Sequence, residues 1–328
     1  MKTIPLTVLT ESLPAQPAGI IPLVKRMVRP LKSLISRKPG PQKRRYGGHY
    51  AVTRSLVEGL RKIGADFNYN PEENKIAETV LVLSGPSVLR NAIRRKNKGE
   101  ISFLLAGPNI ADSVLDEDGI VGDPAVDYFI VPSSWIEKNV IGELPTLKGR
   151  VLCWYAGVDV EYWKPRGPKQ KRKVLVYWKT EKEEFCSAVE TTLIQKGYTP
   201  VRITYGKYIS KEYKQALDQC QFAVFLSRSE SQGVALAESW SMDVPTLVWD
   251  PGELFFRGKA FEQVSACPYL SPETGQRWGD LPELEKLLDG YDNYKDQFNP
   301  RAHTVRNFSD EVCAQSLLHF ISATSKSQ

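Results

Sequence analysis

The stretch Phe225-Leu-Ser-Arg-Ser-Glu-Ser-Gln-Gly-Val-Ala-Leu-Ala-Glu-Ser-Trp-Ser-Met-Asp-Val-Pro-Thr-Leu-Val-Trp249 decides how this chain folds. An apolar run ends at Leu226, a small polar loop leads to Gly233, a helical segment follows, and Pro245 precedes a second apolar run. Strand, loop, helix and strand in that order build a parallel sheet, whose ligands bind at the carboxyl ends of the strands. Residues 227–233 occupy such an end. Gly233 lets a ligand approach the main chain, and the N–H groups of the first helical turn suit an anion such as a diphosphate. Glu230 in the loop and Glu238 inside the helix stand eight residues apart, and carboxylates there are suited to accept hydrogen bonds from sugar or ribose hydroxyls. The same residues also read as an ordinary helix start, with Glu230 complementing the dipole and Glu238 on a wet face.

Outward from this unit the same alternation recurs. In the first half, apolar runs of strand length lie at 4–9, 79–84, 101–106, 128–132 and 150–154, with helical patterns at 49–63, 87–96 and 134–141. In the second half, strands are expected at 174–178, 199–203, 222–226 and 246–249, with helices around 183–196, 211–219 and 233–241. Their β-branched and aliphatic content suits strands buried on both faces, so the expectation is an α/β protein of two doubly wound units. The run Lys164-Pro-Arg-Gly-Pro-Lys-Gln-Lys-Arg-Lys173 has two prolines, one glycine and no acid, the composition of an exposed linker. It divides the chain into an N-terminal domain (1–163), a linker (164–173) and a C-terminal domain (174–300), followed by a tail (301–328). Apolar residues at helical spacing from Val305 to Ile321 make that tail one closing helix.

A length of 328 residues matches about two domains. With 41% hydrophobic and 25% charged residues, the chain is neither disordered, collagen-like nor a polytopic membrane protein. Five cysteines lie more than 30 residues apart with no CxxC or CxxH spacing, which points to reduced thiols. No run reaches the roughly 18 apolar residues of a membrane span, so a cytoplasmic protein is expected. The net charge of +6 is uneven: ten Lys or Arg and no acid lie between Glu11 and Glu58, leaving the rest of the chain net negative.

The 225–249 stretch resembles the E-x7-E signature of retaining nucleotide-sugar glycosyltransferases with the GT-B fold, in particular glycosyltransferase family 4, with Glu230 and Glu238 as the two glutamates. Further elements follow in the family's order. Gly157-Val-Asp-Val-Glu-Tyr-Trp-Lys-Pro165 resembles its GVD...F.P element, Val131-Pro-Ser-Ser-Trp135 its strand end, and Gly47-Gly48 its glycine-rich loop. Together they cover roughly residues 46–260. The resemblance implies two Rossmann-like domains facing a cleft and closed by a C-terminal helix. It implies a hexosyltransferase-type activity that moves a sugar from a nucleotide-diphosphate donor, UDP- or GDP-linked, to a hydroxyl of a glycan, lipid or small molecule. Transfer would proceed with retention and without a metal, and no resident cofactor is implied.

Carried onto this sequence, Glu238 would bond the ribose and Glu230 the transferred sugar. Gly47, Gly48, Ser231, Gln232, Gly233 and Val234 would line the donor. The family's basic residues after the first strand of the second domain correspond to Lys179 and Lys182, which also read as solvated lysines. Tyr205 would flank the base, or belong to a plain tyrosine-rich turn. Many members carry a histidine near the transferred sugar; the comparable place here is 106–110, where Asn109 is its candidate replacement. His49, next to the glycines, is within reach of the same cleft, whereas His303 and His319 read as surface or packing residues of the tail. The family's Gly-Phe after the first glutamate is Ser231-Gln232 here, a polar change that points to a different donor sugar. No metal ligand set is read; Asp116-Glu-Asp118 reads as solvated acid.

Within the basic insertion (14–45), apolar residues from Ile20 to Ile35 recur at helical spacing with Lys25, Arg26, Arg29, Lys32 and Arg37 between them. Two readings stand: a helix covering the N-terminal domain, and a segment (20–37) lying on an anionic membrane beside a lipid-linked acceptor, which would place the protein peripherally on the inner membrane face. No nucleic-acid motif accompanies these charges. Two functions remain in play, a transferase and a catalytically degenerate GT-B protein that binds nucleotide or glycan. A GT-B epimerase is less consistent with the GVD and E-x7-E elements, and a nicotinamide dehydrogenase is disfavoured because no glycine fingerprint follows the first strand.

Overall fold

The computed structural model describes residues 5–11, 48–179, 181–256 and 258–325. The basic insertion, with Gly47, lies outside these residues. The apolar runs of the first half form one parallel sheet: β1 (Leu6–Leu9), β2 (Phe67–Tyr69), β3 (Thr79–Ser84), β4 (Phe103–Asn109), β5 (Tyr128–Val131) and β6 (Val151–Cys153), in the order β2-β1-β3-β4-β5-β6. Helices α1 (Gly48–Lys62), α2 (Pro86–Asn97) and α3 (Ser134–Glu143) connect them. In the second half β7 (Lys173–Trp178), β8 (Thr199–Thr204), β9 (Phe222–Leu226), β10 (Thr246–Trp249) and β13 (Gly275–Trp278) form a parallel sheet ordered β13-β10-β9-β7-β8. β11 (Glu253–Phe256) and β12 (Lys259–Glu262) make a separate antiparallel pair. α4 (Glu183–Gln195), α5 (Ser210–Gln219), α6 (Val234–Ser241) and α7 (Leu281–Tyr294) pack around this sheet, and α8 (Pro300–Phe308) and α9 (Asp310–Thr324) end the chain. The fold is two doubly wound α/β units in tandem.

Each strand order reverses at one place, between β1 and β3 in the first sheet and between β7 and β9 in the second. These are the topological switch points at which crevices open in doubly wound sheets.

The tail is two helices rather than the single one its apolar spacing predicts. Ser309 breaks it, and its side chain accepts from the Val312 N–H at 3.3 Å as the cap of α9. At this break the chain returns to residues 154–163, which cross between the sheets. Val158 N donates to Phe308 O (2.8 Å) and Asp310 N to Val158 O (3.1 Å). α8 then lies on α6 and α9 on α1. A core of Leu56, Leu60, Trp154, Tyr177, Phe225, Trp240 and Leu317, with others, runs unbroken through both units.

Asp310 is fully buried at that junction, and its carboxylate takes both arms of Arg54, at 2.7 and 3.0 Å. Lys62 approaches the same carboxylate at 3.7 Å and Glu311 at 3.4 Å. Burial lowers the Lys62 pKa, but Asp159, Asp310 and Glu311 together raise it further. Two glycines make room: a Cβ on Gly59 would stand 2.3 Å from Asp310 O, and one on Gly157 2.7 Å from Asp310 N.

Residues 164–173, expected as an exposed linker, are mostly exposed and are fastened to the second unit. Lys169 Nζ donates to Leu217 O and Met242 O, both at 2.9 Å, and Lys214 Nζ donates to Lys164 O at 2.7 Å. Burial lowers both ammonium pKa values.

Because Arg54→Ala leaves a buried carboxylate with, among the described residues, the more distant Lys62 as its cation, it is expected to cost about 3 kcal/mol, the scale for breaking one side of a buried ion pair. Urea denaturation checks this; a loss under about 1 kcal/mol would show that the pair does not hold the junction.

Candidate active site

β9 is apolar and buried at all five positions. Polarity begins at Ser227, just beyond the carboxyl edge of the sheet. Gly233 adopts a left-handed conformation (φ 83°, ψ 48°) at the cap of α6, a geometry that penalises any Cβ. Its added Cβ would also lie 2.9 Å from Leu236 Cδ1.

Lys179 follows β7 and Glu230 follows β9, on the two sides of the second switch point. Lys179 Nζ donates to Glu230 Oε1 at 2.8 Å and Oε2 at 2.9 Å, with both side chains largely buried. The ammonium stands 4.8 Å from the ring centre of Tyr205, whose N–H bonds Trp178 O at 2.8 Å. Burial lowers the Lys179 pKa, but the charge and hydrogen bonds of Glu230 outweigh it and the net shift is upward. Lys179 therefore stays cationic at neutral pH.

Glu238 is buried at 3% exposure on α6. Beneath the loop lies a tyrosine layer: the hydroxyls of Tyr177 and Tyr208 are 3.0 Å apart, Tyr177 stacks on Phe225, and Tyr213 bonds Ala235 O at 2.8 Å and Ser239 Oγ at 2.7 Å. Burial raises the pKa of Tyr208 and Tyr213, and Glu230 and Glu238 both add to the rise. The two glutamates thus share one tyrosine neighbourhood.

The residues after Glu230 divide by exposure. Ser231 is exposed, whereas Gln232 is buried at 6%. The Gln232 amide clasps Ala156 of the other unit, Nε2 donating to Ala156 O at 2.9 Å and Oε1 accepting from Ala156 N at 3.3 Å. The polar residue that sequence reading links to the donor sugar is therefore satisfied across the domain seam. Val234 opens α6 half-buried. Lys182 is exposed at the start of α4 and takes no part in the Lys179–Glu230 pair.

The first switch point carries a separate cavity of about 420 Å³ beside β1, β3 and β4. His49, Thr10, Glu11, Thr53, Ser84 and Asn109 are among its lining residues. Asn109 Nδ2 is buried there with no hydrogen-bond partner among the described residues. Gly48 is exposed beside His49, and a Cβ added to it would meet none of the described residues within 4 Å. The expected residues thus fall into two groups, His49 and Asn109 on this cavity and Lys179, Tyr205, Glu230 and Glu238 on the other rim.

Trp135 ties the first unit to that second rim by donating Nε1 to Glu230 O at 3.0 Å. Tyr269 OH donates to Pro132 O at 2.7 Å alongside. Neither role is visible in a linear motif, because each acceptor is a main-chain oxygen. Arg228, also missed, lies 5.0 Å from the centre of the Trp249 ring and pairs with Glu181 at 3.4 Å. His303 instead meets Glu273 at 2.7 Å, and His319 is exposed. Among the described residues no three His, Cys, Asp or Glu side chains gather as a metal site.

No protein-family model matches the sequence, and no curated protein matches it. Solved structures do. A lipopolysaccharide outer core galactosyltransferase, WaaB in its apo form, superposes with a TM-score of 0.57 at 10% identity, over 98% of this chain and all of that one. Anabaena HepE in complex with UDP gives 0.56 at 9% identity, over 98% and 100%. Sucrose-phosphate synthase from Thermosynechococcus elongatus gives 0.53 at 10%, over 99% and 100%. The likeness is one of fold: this chain has the GT-B architecture along essentially its whole length.

Gly233→Ala forces a left-handed alanine at the head of α6 and is expected to destabilise the protein by about 1–2 kcal/mol. Gly233→Asn, which tolerates that region better, should lose less. Equal losses in denaturant melts of the two variants would remove the conformational argument.

Proposed function

We propose that this protein is a glycosyltransferase that moves a sugar from a nucleotide-diphosphate sugar to a hydroxyl acceptor. The observation that carries the reading is the Lys179–Glu230 pair at the second switch point, followed by the Gly233-capped helix α6 that carries Glu238. N–H groups of that first turn and the Lys179 ammonium would hold the diphosphate. Glu238 would accept from the ribose hydroxyls and Glu230 from those of the sugar, with Tyr205 flanking the base. The donor is UDP- or GDP-linked, and the HepE structures described as complexes with UDP make UDP the first to test.

Departure of the sugar puts charge on the diphosphate, and preorganised N–H dipoles with Lys179 stabilise that charge. Lys182 belongs to the same mechanism only if α4 brings it over the phosphates. An acceptor hydroxyl approaching the leaving group's side passes its proton to a diphosphate oxygen, so transfer retains configuration and needs neither a protein nucleophile nor a metal. The acceptor, a glycan, lipid or small molecule, would enter from the His49 and Asn109 cavity, where Asn109 Nδ2 is placed to donate to a hydroxyl. Intact Glu230, Gly233 and Glu238 support catalysis; Asn109 in place of the family's histidine supports the second reading, a protein that binds nucleotide without transferring sugar.

Isothermal titration against a panel of nucleoside diphosphates tests the reading, and no binding to any of them would overturn it. Glu238→Ala should weaken the bound nucleotide about tenfold or more, the scale of a hydrogen bond to a charged group. Glu230→Ala should lower transfer more than nucleotide affinity. Binding with no donor turnover would favour the second reading.

Among the described residues no helix is long and apolar enough to cross a membrane. We place the protein in the cytoplasm, with the basic stretch 20–37 held to an anionic membrane face where a lipid-linked acceptor would lie. Flotation with vesicles containing phosphatidylserine should carry the full chain up and leave a variant lacking residues 18–38 behind; equal flotation of both would remove that assignment.

A further inference from the structure

Glu230 is held at both ends of its own peptide units. Its carbonyl accepts from Trp135 Nε1, and its N–H donates to Ser265 O at 2.9 Å. The second contact makes Glu230 depend on the segment 265–267, which lies after the β11–β12 pair and belongs to no helix or strand. Such a segment holds a fixed position only where something outside it supplies the bonds.

Asp250 supplies most of them. It follows β10, with its own N–H donating to Trp278 O at 3.0 Å, so its main chain is part of the sheet edge. Its side chain is 8% exposed. Oδ1 accepts from Ala266 N at 2.8 Å, and Oδ2 accepts from Ser265 Oγ at 3.1 Å and Arg277 Nε at 2.9 Å. Ser265 Oγ in turn accepts from Cys267 N at 3.0 Å, and Arg277 Nη2 donates to Cys267 O at 2.9 Å. Ala266 and Cys267 are buried. The Ser265 carbonyl is the one left facing Glu230.

We propose that Asp250 is a positioning residue for Glu230: its carboxylate anchors residues 265–267 to the sheet edge, and Ser265 O passes that fixed position to the Glu230 main chain. Three donors converge on one carboxylate, an arrangement an amide cannot reproduce because its nitrogen would face a donor. The consequence for transfer rests on the transferase reading; the consequence for the loop does not.

The test is Asp250→Asn in the full chain, read by amide hydrogen exchange with mass spectrometry and by kinetics. The fragment containing Glu230 is expected to exchange about tenfold faster or more, while fragments of β9 and β10 keep their rates, because only the outer anchor is lost. With UDP as probe, Kd should stay within about threefold while kcat with a competent donor falls about tenfold or more, the scale of a displaced catalytic group. Ser265→Ala, a milder change that removes one of the three donors, should shift Glu230 exchange in the same direction by less, and serves if Asp250→Asn does not fold. Unchanged Glu230 exchange in the variants that fold overturns the proposal, as does loosening of β9 and β10 to the same extent. Faster Glu230 exchange in a protein that neither binds nucleotide nor transfers sugar would uphold the anchor and reject the transferase.

Discussion

The buried Asp310 carboxylate is the constraint on which the arrangement of the two units depends. Withdrawing a carboxylate from water costs several kcal/mol unless its partners are fixed, and here they are Arg54 and Lys62 on α1, while the Asp310 main chain is itself fixed by its N–H donating to Val158 O at the break before α9. An apolar face on α9 alone would slide along α1 in more than one register. The two-armed Arg54 contact, with Gly59 and Gly157 seating the Asp310 main chain, admits one. Since α1 begins at Gly48 and His49, the register that Asp310 sets also places the rim of the first switch point.

The seam beside the candidate site is built differently. Gln232 to Ala156, Trp135 to the Glu230 carbonyl and Tyr269 to the Pro132 carbonyl are neutral hydrogen bonds. Each contributes about 0.5–1.5 kcal/mol net. Their sum defines a geometry while remaining comparable to the binding energy of a small ligand. The far side of the seam is held by the buried ion pair of Asp310 and Arg54, the side beside the candidate site by neutral hydrogen bonds.

The sequence is most legible where burial is complete. Runs such as 80–83, 103–106 and 222–226 carry the signature of strands covered on both faces, and all lie in strands. β2 and β13 escaped because Phe67-Asn-Tyr is a half-exposed edge and Gly275-Gln-Arg-Trp carries polar side chains in its middle. Ser309-Asp310 is a capping pair that apolar periodicity overran. At the site, Glu230, Gly233 and Glu238 were readable because a motif fixes their order along one loop and helix. Lys182 was not separable from Lys179 on sequence, since only the entry into α4 decides which lysine meets Glu230. The contact of Gln232 gave no signal in the sequence because its partner is a main-chain amide 76 positions away. Ser265 gave no signal at all: a carbonyl oxygen makes the contact, and every residue has one.

The electrostatics of the second rim sharpen what the overall charge of +6 implies. Lys179 is bonded to Glu230, and Arg228 to Glu181 with Glu253 at 3.7 Å, so both of these cations already face a carboxylate. On the proposed function, a diphosphate entering this rim would not meet an open positive field; it would compete with Glu230 for Lys179. That exchange would have a chemical use. A carboxylate relieved of one ammonium proton regains an acceptor site, and a sugar hydroxyl is a donor of the right kind to fill it. Binding the phosphate and orienting the sugar would then be one event, governed by the local geometry of a partly buried pair rather than by long-range attraction, which salt would screen.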